Sequence, residues 1–335
     1  MRAVLTLPFI LACSDYGFQE ETPREGGKHD DSGYEPQQDT DDTEEDPRDT
    51  ADTEIPDDEV PDDKVDVMLI IDIAYWYDCY RVDLNVDGGQ LVDALFDSGA
   101  DVAVGVATYD DYMVDGEWFQ AWAGYPYTLP TQLTTDRSRA KNAMTSLEFQ
   151  WGGDDAGDGY EAIVQAALGN GYDQDCDQKY DEYYDIKPFK ANGADAFNGK
   201  VSGLNDSSAT GTGSEAGVGW RSGSKRVIAV FAENLMRDRN EGHTVPSGAC
   251  PGAASRSDAE SGLRSAQAKF LGVNAYEYQM EDPRLQDQLE AIASNTGSKI
   301  DKDGDGNEDE LAVLSGSWDW PATNVIVKAI WDLAD

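Results

Sequence analysis

Three short stretches limit the fold of this chain more than any other feature. Residues 65–71 are apolar at every position but Asp66, residues 102–107 are aliphatic or glycine throughout, and residues 227–231 are wholly apolar. A strand with one wet face alternates polar and apolar side chains. These stretches do not, so they read as central strands of a parallel sheet buried on both faces. Residues 273–278 repeat the pattern more weakly. Between the strands lie stripes with the 3, 4, 7 spacing of helices packed on a core. Leu91, Leu95 and Phe96 mark one, and Ala140, Ala143, Met144 and Leu147 a second, with Thr135 or Asp136 as its cap. Ile163, Ala166 and Ala167 mark a third. Ala259, Leu263, Ala266 and Phe270 mark a fourth, opened by Ser257-x-x-Glu260 as a capping box. Leu285, Leu289, Ile292 and Ala293 mark a fifth that stops near Gly297. Ile326, Ala329, Ile330 and Leu333 mark the last, with Pro321 near its first position. Strands alternating with helices predict a doubly wound α/β fold, a mostly parallel sheet with helices on both faces. Residues 170–222, rich in Gly, Asp, Tyr and Ser, show no sustained period and read as a long irregular insert.

Charge divides the chain. The 335 residues carry a formal net charge of −42. Residues 14–64 hold 21 Asp or Glu against four Lys or Arg, with too few apolar side chains to offset the entropy of ordering them. They read as a disordered, self-repelling tether. Residues 65–335 still carry −26, which suits divalent cations or a salty medium and repels nucleic-acid phosphates and anionic lipid.

Residues 1–13 have the plan of an export signal: Arg2, a short apolar stretch, and small residues before a cut site. Ile10-Leu11-Ala12-Cys13 resembles the lipobox of bacterial lipoproteins, which implies acylation of Cys13 and lipid anchoring at the outer membrane or cell surface. Export also implies an oxidising compartment, in which Cys79, Cys176 and Cys250 allow one disulfide and three pairings.

The sharpest local motif is 301–309, with Asp301, Asp303, Asp305 and Asp309 at loop positions 1, 3, 5 and 9, Asn307 at 7 and Gly306 at the tight turn. This is the front of an EF-hand-like Ca²⁺ loop. Position 12 is Ala312, so Glu310 or Asp309 stands in for the usual Glu, and the flanks read as extended rather than helical. A second acid run, Asp173, Asp175, Asp177, Asp181 and Asp185, is interleaved with Tyr172, Tyr180, Tyr183 and Tyr184 and reads as a solvated insert or an aromatic contact surface. Trp118, Trp122, Tyr125 and Tyr127 read as cover for the sheet edge.

In doubly wound sheets ligands bind beyond the carboxyl ends of the strands. Asp72, Tyr109-Asp110-Asp111 and Ala232-Glu233-Asn234 occupy three such ends. The segment from Asp72 to Trp76, the segment from Gly152-Gly153-Asp154-Asp155 to Ala167, and Gly219-Trp220-Arg221 ahead of the third strand together resemble a von Willebrand factor A domain, of the integrin β I-like variety. The resemblance covers 65–335. It implies a binding domain with a metal-ion-dependent adhesion site, here degenerate, since Ala74 and Trp76 stand where the family has metal-ligating Ser. It implies Asp72, Asp154, Asp155, Asp158 and Glu233 as ligands for Mg²⁺ or Ca²⁺. It also implies a Cys176–Cys250 disulfide, against the rival Cys79–Cys250.

Catalysis has little support. There are two histidines, His29 and His243, and no G-x-S-x-G, phosphate loop or dinucleotide fingerprint. The reading is a non-enzymatic, surface-anchored binding domain, stabilised by calcium, for a protein or envelope ligand. The alternative is a calcium-stabilised structural component of the envelope.

Overall fold

The computed structural model of the chain describes residues 63–73, 80–112, 125–148, 156–189, 195–275, 283–315 and 323–335, with backbone alone at 80–86. The leader with Cys13, most of the tether, Asp154, Asp155, Ala74, Trp76, Cys79, Trp118, Trp122 and Pro321 lie outside these residues.

The elements run β1 (Lys64–Asp72), α1 (Tyr80–Asp97), β2 (Asp101–Tyr109), β3 (Thr128–Thr134), α2 (Arg137–Thr145), β4 (Ala156–Gly157), α3 (Gly159–Leu168) and α4 (Ala216–Gly219). Then follow β5 (Lys225–Ala232), β6 (Leu235–Met236), α5 (Arg256–Ala266), β7 (Ala268–Asn274), α6 (Pro283–Thr296), β8 (Lys299–Ile300), β9 (Glu310–Leu311), β10 (Val313–Ser315) and α7 (Thr323–Ala334). The main sheet has six strands in the order β10-β7-β5-β1-β2-β3. All neighbours are parallel except β3, which pairs antiparallel with β2. Both faces are covered, as the unbroken apolar runs require. Met68 and Ile70 of β1 face α3, α5 and α6 through Ile163, Leu263 and Leu289, while Val67, Leu69 and Ile71 face α1, α2 and α7 through Leu95, Met144 and Ile330. The fold is the doubly wound α/β sheet expected.

Asp66, the one polar residue inside the first run, is fully buried yet satisfied. Arg221 donates its backbone N–H (2.7 Å) and its guanidinium to the carboxylate, and Ser224 adds its hydroxyl at 2.8 Å. The same guanidinium reaches Val65 O and Asp101 O, so Arg221 ties the starts of β1 and β2 together just ahead of β5. The turn Ala216–Gly219 that delivers it packs against α3. A side chain at Gly217, whose φ is +80°, would meet Ala166 O at 2.4 Å.

Several local expectations shift. Helix α5 ends at Ala266, where Gln267 takes φ 54°, so Phe270 belongs to β7 and not to the helical stripe. Its cap is Ser255, whose N–H and hydroxyl both go to the Asp258 carboxylate, rather than Ser257 with Glu260. Strand β7 begins five residues earlier than the 273–278 pattern suggests, because it pairs with β5 from Ala268 onward. Asp136 caps α2, accepting from Arg139 N. The insert holds the turn at Ala216–Gly219 and isolated bridges, Tyr172 to Ile186 and Asp173 to Cys250, as its described regular structure. A disulfide joins Cys176 to Cys250, and excludes the Cys79–Cys250 rival. No described helix is long and apolar enough to cross a membrane.

Candidate functional site

The carboxyl ends of β1, β2 and β5 bring acids together as the topology demands. Asp72 closes β1 and is 2 % exposed. Its Oδ2 accepts the backbone N–H of Glu233 (3.2 Å) and of Asn234 (3.1 Å), so it tethers the turn that follows β5. Asp110 and Asp111 follow β2, and both are buried. The two-residue strands β4 and β6 pair in parallel, Ala156 with Leu235 and Gly157 with Met236. That pairing sets Asp158 and Arg237 side by side.

Arg237 is the centre of this end of the sheet and is 3 % exposed. Its Nε donates to Asp158 Oδ1 at 3.0 Å and its Nη2 to Asp111 Oδ1 at 3.1 Å. Nη2 also reaches Ala156 O (2.7 Å), and Nη1 reaches Thr244 O (2.8 Å). The backbone locks the pair further, since Arg237 N donates to Gly157 O and Asp158 N to Asp110 O. Burial pushes the Asp158 carboxyl up, Arg237 pulls it down, and the neighbouring acids Asp111, Glu161 and Asp110 push it up again; the balance lies above the usual carboxylate range.

One turn into α3, Glu161 is also buried, and it accepts from Tyr112 Oη (2.7 Å), Gln165 Nε2 (2.7 Å) and Ala254 N (3.0 Å). Burial raises its carboxyl against those three donors. Gln165 in turn holds Gly171 N and O, which fixes the start of the insert to α3.

Of the acids the resemblance selects, Asp72, Asp158 and Glu233 lie at this end of the sheet, and Asp154 and Asp155 fall outside the described residues. Among the described residues, the groups of three carboxylates whose oxygens approach within 4.8 Å of one another are elsewhere: Asp301 with Asp303 and Glu310, and Asp173 with Asp175 and Asp177. Arg237 escaped the reading of the sequence. It is a single residue directly after the two-residue strand β6, and its partners Asp158 and Asp111 lie 79 and 126 residues away.

The 301–309 loop joins β8 to β9, an antiparallel pair, so its flanks are extended as expected. Asp301 is the hub: Oδ1 accepts from Gly304 N (2.8 Å) and Asp305 N (3.1 Å), and Oδ2 from Gly306 N (3.0 Å). Desolvation raises the Asp301 carboxyl, but the N–H groups of Gly306 and Gly304 and the charge of Lys328 outweigh it and hold it below its ordinary value. Gly304 and Gly306 take φ of 75° and 86°, where only glycine is unstrained. Glu310 reaches the group in place of a position-12 Glu, and its Oε2 accepts Lys302 N. Asp305, Asn307 and Asp309 stand outside that group. Asp305 Oδ1 is held by Asn307, and Asp309 N donates to Asn307 O. Lys328 Nζ lies 3.9 Å from Asp301 Oδ2 and bonds both oxygens of Asp332.

No protein-family model matches the chain, and no curated protein matches it. Among solved structures the chain is similar to proximal thread matrix protein 1 from the mussel byssus (crystal form 2), with a TM-score of 0.42 and 11% identity. That match covers 81% of this chain and 46% of the mussel protein, so the chain spans less than half of that protein's length.

Proposed function

We propose that the chain is an exported, non-enzymatic binding protein: a von Willebrand factor A-like domain of residues 65–335, carried on the 14–64 tether by a lipid at Cys13, with calcium on the 301–309 loop. The observation that supports it is the strand order. Numbered within the main sheet alone, it reads 3-2-1-4-5-6, with an antiparallel third strand and acids collected at the carboxyl ends, where open α/β sheets take their ligands.

The described residues do not fit the family's metal at those strand ends. Asp158 and Asp111 already share the buried guanidinium of Arg237, and Asp72 is engaged by backbone N–H groups. A divalent ion placed among them would face Arg237 as a like charge in a dry setting. Recognition in this reading therefore runs through the protein's own surface side chains and not through a metal-bridged carboxylate. The 301–309 loop does fit calcium, because three carboxylates of hard oxygens meet there at the surface. When bound, calcium would supply charge neutralisation and cross-link β8 to β9.

Two measurements test this. Calcium should raise the Tm of the full chain, by about 2.7 kcal/mol of stability at a hundredfold excess over Kd, and Asp303→Ala with Asp305→Ala should remove the 301–309 contribution. A calcium response left whole in that variant overturns the assignment of this loop. For the binding half, immobilised full-length protein is exposed to envelope extracts in calcium and in chelator. A partner that saturates, and that soluble protein competes away, supports the reading. A rise in Tm with no saturable partner favours the structural alternative.

A further inference from the structure

A second loop repeats the plan of 301–309 without its glycines. Counted from Asp173, acids stand at positions 1, 3 and 5, as Asp173, Asp175 and Asp177; in 301–309 they are Asp301, Asp303 and Asp305. Positions 4 and 6 take positive φ in both loops: Cys176 (61°) and Gln178 (63°) here, Gly304 and Gly306 there. In both, the first carboxylate accepts the N–H of position 6, Gln178 N to Asp173 Oδ2 at 2.7 Å and Gly306 N to Asp301 Oδ2 at 3.0 Å. Carboxylate oxygens of Asp173, Asp175 and Asp177 lie within 4.8 Å of one another.

What separates this loop from an ordinary solvated turn is Asp173. The residue is 0% exposed, and its Oδ1 is buried with no hydrogen-bond donor among the described residues. A carboxylate oxygen removed from water without a donor or a cation is costly. The backbone holds it there regardless, because Asp173 N and O both pair with Cys250 (3.0 and 2.7 Å) and Cys250 is bonded to Cys176 inside the loop. Lys179 pairs with Asp177 Oδ2, but its side chain is 81% exposed, at the rim. Asp185 closes the far side, accepting Gln174 N and Asp181 N. A cavity of about 770 Å³ opens beside Asp175, Asp177 and Asp181.

We propose that the loop 173–185 is a second site for a divalent cation of the calcium class, with Asp173 Oδ1 as its buried ligand and Asp175 and Asp177 as its surface ligands. All ligands are hard oxygens on one irregular loop. That suits calcium, which takes variable oxygen geometry, better than magnesium, which demands a near-ideal octahedron. The disulfide pins the ligands before the ion arrives, which lowers the ordering cost of binding.

The probe is calcium chloride, titrated calorimetrically into the full chain at moderate salt. The Asp303→Ala, Asp305→Ala variant should keep one saturable equivalent. Adding Asp175→Asn with Asp177→Asn, both at exposed positions, should abolish it while circular dichroism stays native. Terbium in place of calcium should give Tyr-sensitised emission, since Tyr180 and Tyr184 line the adjoining cavity, and the Asn substitutions should quench it. The proposal is overturned if the 303/305 variant binds no calcium, or if its remaining equivalent survives the two Asn substitutions. Failure of the 301–309 assignment alone would look different: the 303/305 variant would then bind as many equivalents as the wild type.

Discussion

At the end of the main sheet Asp111 and Asp158 share Arg237 in full burial, whereas at the surface Asp301, Asp303 and Glu310 gather with Lys328 only at their edge. The two groups hold similar acids under different dielectric conditions. At the strand ends the buried carboxylates have their cation built into the chain, in Arg237, which offsets a desolvation cost of several kcal/mol. Surface acids lose little solvation and can draw on a dissolved ion. The chain thus neutralises its buried acids with an arginine of its own, whereas the calcium proposed for the surface loop would neutralise its acids reversibly.

The largest expected effect breaks the first half of that comparison. Arg237→Met should cost about 3–5 kcal/mol, because it takes the Arg237 charge from the buried Asp158 and Asp111 and its donors from Ala156 O and Thr244 O. Chemical denaturation reads the loss. Adding Asp111→Asn and Asp158→Asn should return part of it, since the stranded charges go. A loss below about 1 kcal/mol would mean that water reaches the acids and that the built-in cation is dispensable.

The next effect is that of the disulfide. Cys176 and Cys250 are 74 residues apart, and closing a loop of that length is worth about 4 kcal/mol in the chain-entropy account, before native-state strain is counted. Reduction should lower the Tm accordingly, and it should weaken calcium at 173–185 more than at 301–309, whose loop contains no cysteine. Equal weakening at both loops would deny that the bridge organises the first one.

These contrasts also mark what the sequence could disclose. Strands β1, β2 and β5 were legible because a strand buried on both faces leaves an unbroken apolar run. Strand β3 was not: it is an antiparallel edge, and Thr128–Thr134 carries Pro130 and Gln132 where a central strand would carry neither. The helix that ends at Ala266 was read four residues too long because Phe270 happens to continue its spacing, and Gln267, not a glycine, makes the left-handed stop. The 301–309 loop announced itself through Gly304 and Gly306. Its counterpart at 173 did not, because Cys176 and Gln178 adopt the same φ without the glycine signal. Arg237 was invisible for another reason. Its role depends on β4 pairing with β6, two-residue strands far apart in the chain that have no periodicity to detect.

The smallest effect sharpens the second half of the comparison by asking how much cation the 301–309 loop already carries. Lys328 Nζ stands 3.9 Å from Asp301 Oδ2, close enough to compete with a divalent ion for the same oxygen. Lys328→Met should therefore tighten calcium binding at this loop a few-fold, on the order of 0.5–1 kcal/mol at a solvated site. Charge competition is screened by salt, so the gain should shrink as ionic strength rises. Lys328 has an opposite role through Asp332: it bonds both Asp332 oxygens, and Asp332 Oδ2 accepts Asp301 N at 3.2 Å. If the lysine serves chiefly to hold Asp332 under the loop, the same variant should bind calcium more weakly, and salt should not restore it. Calcium titrations of wild type and Lys328→Met at low and high salt separate the two. Tighter binding that fades with salt places this loop between the extremes, with a cation near enough to compete but not buried firmly enough to exclude the ion.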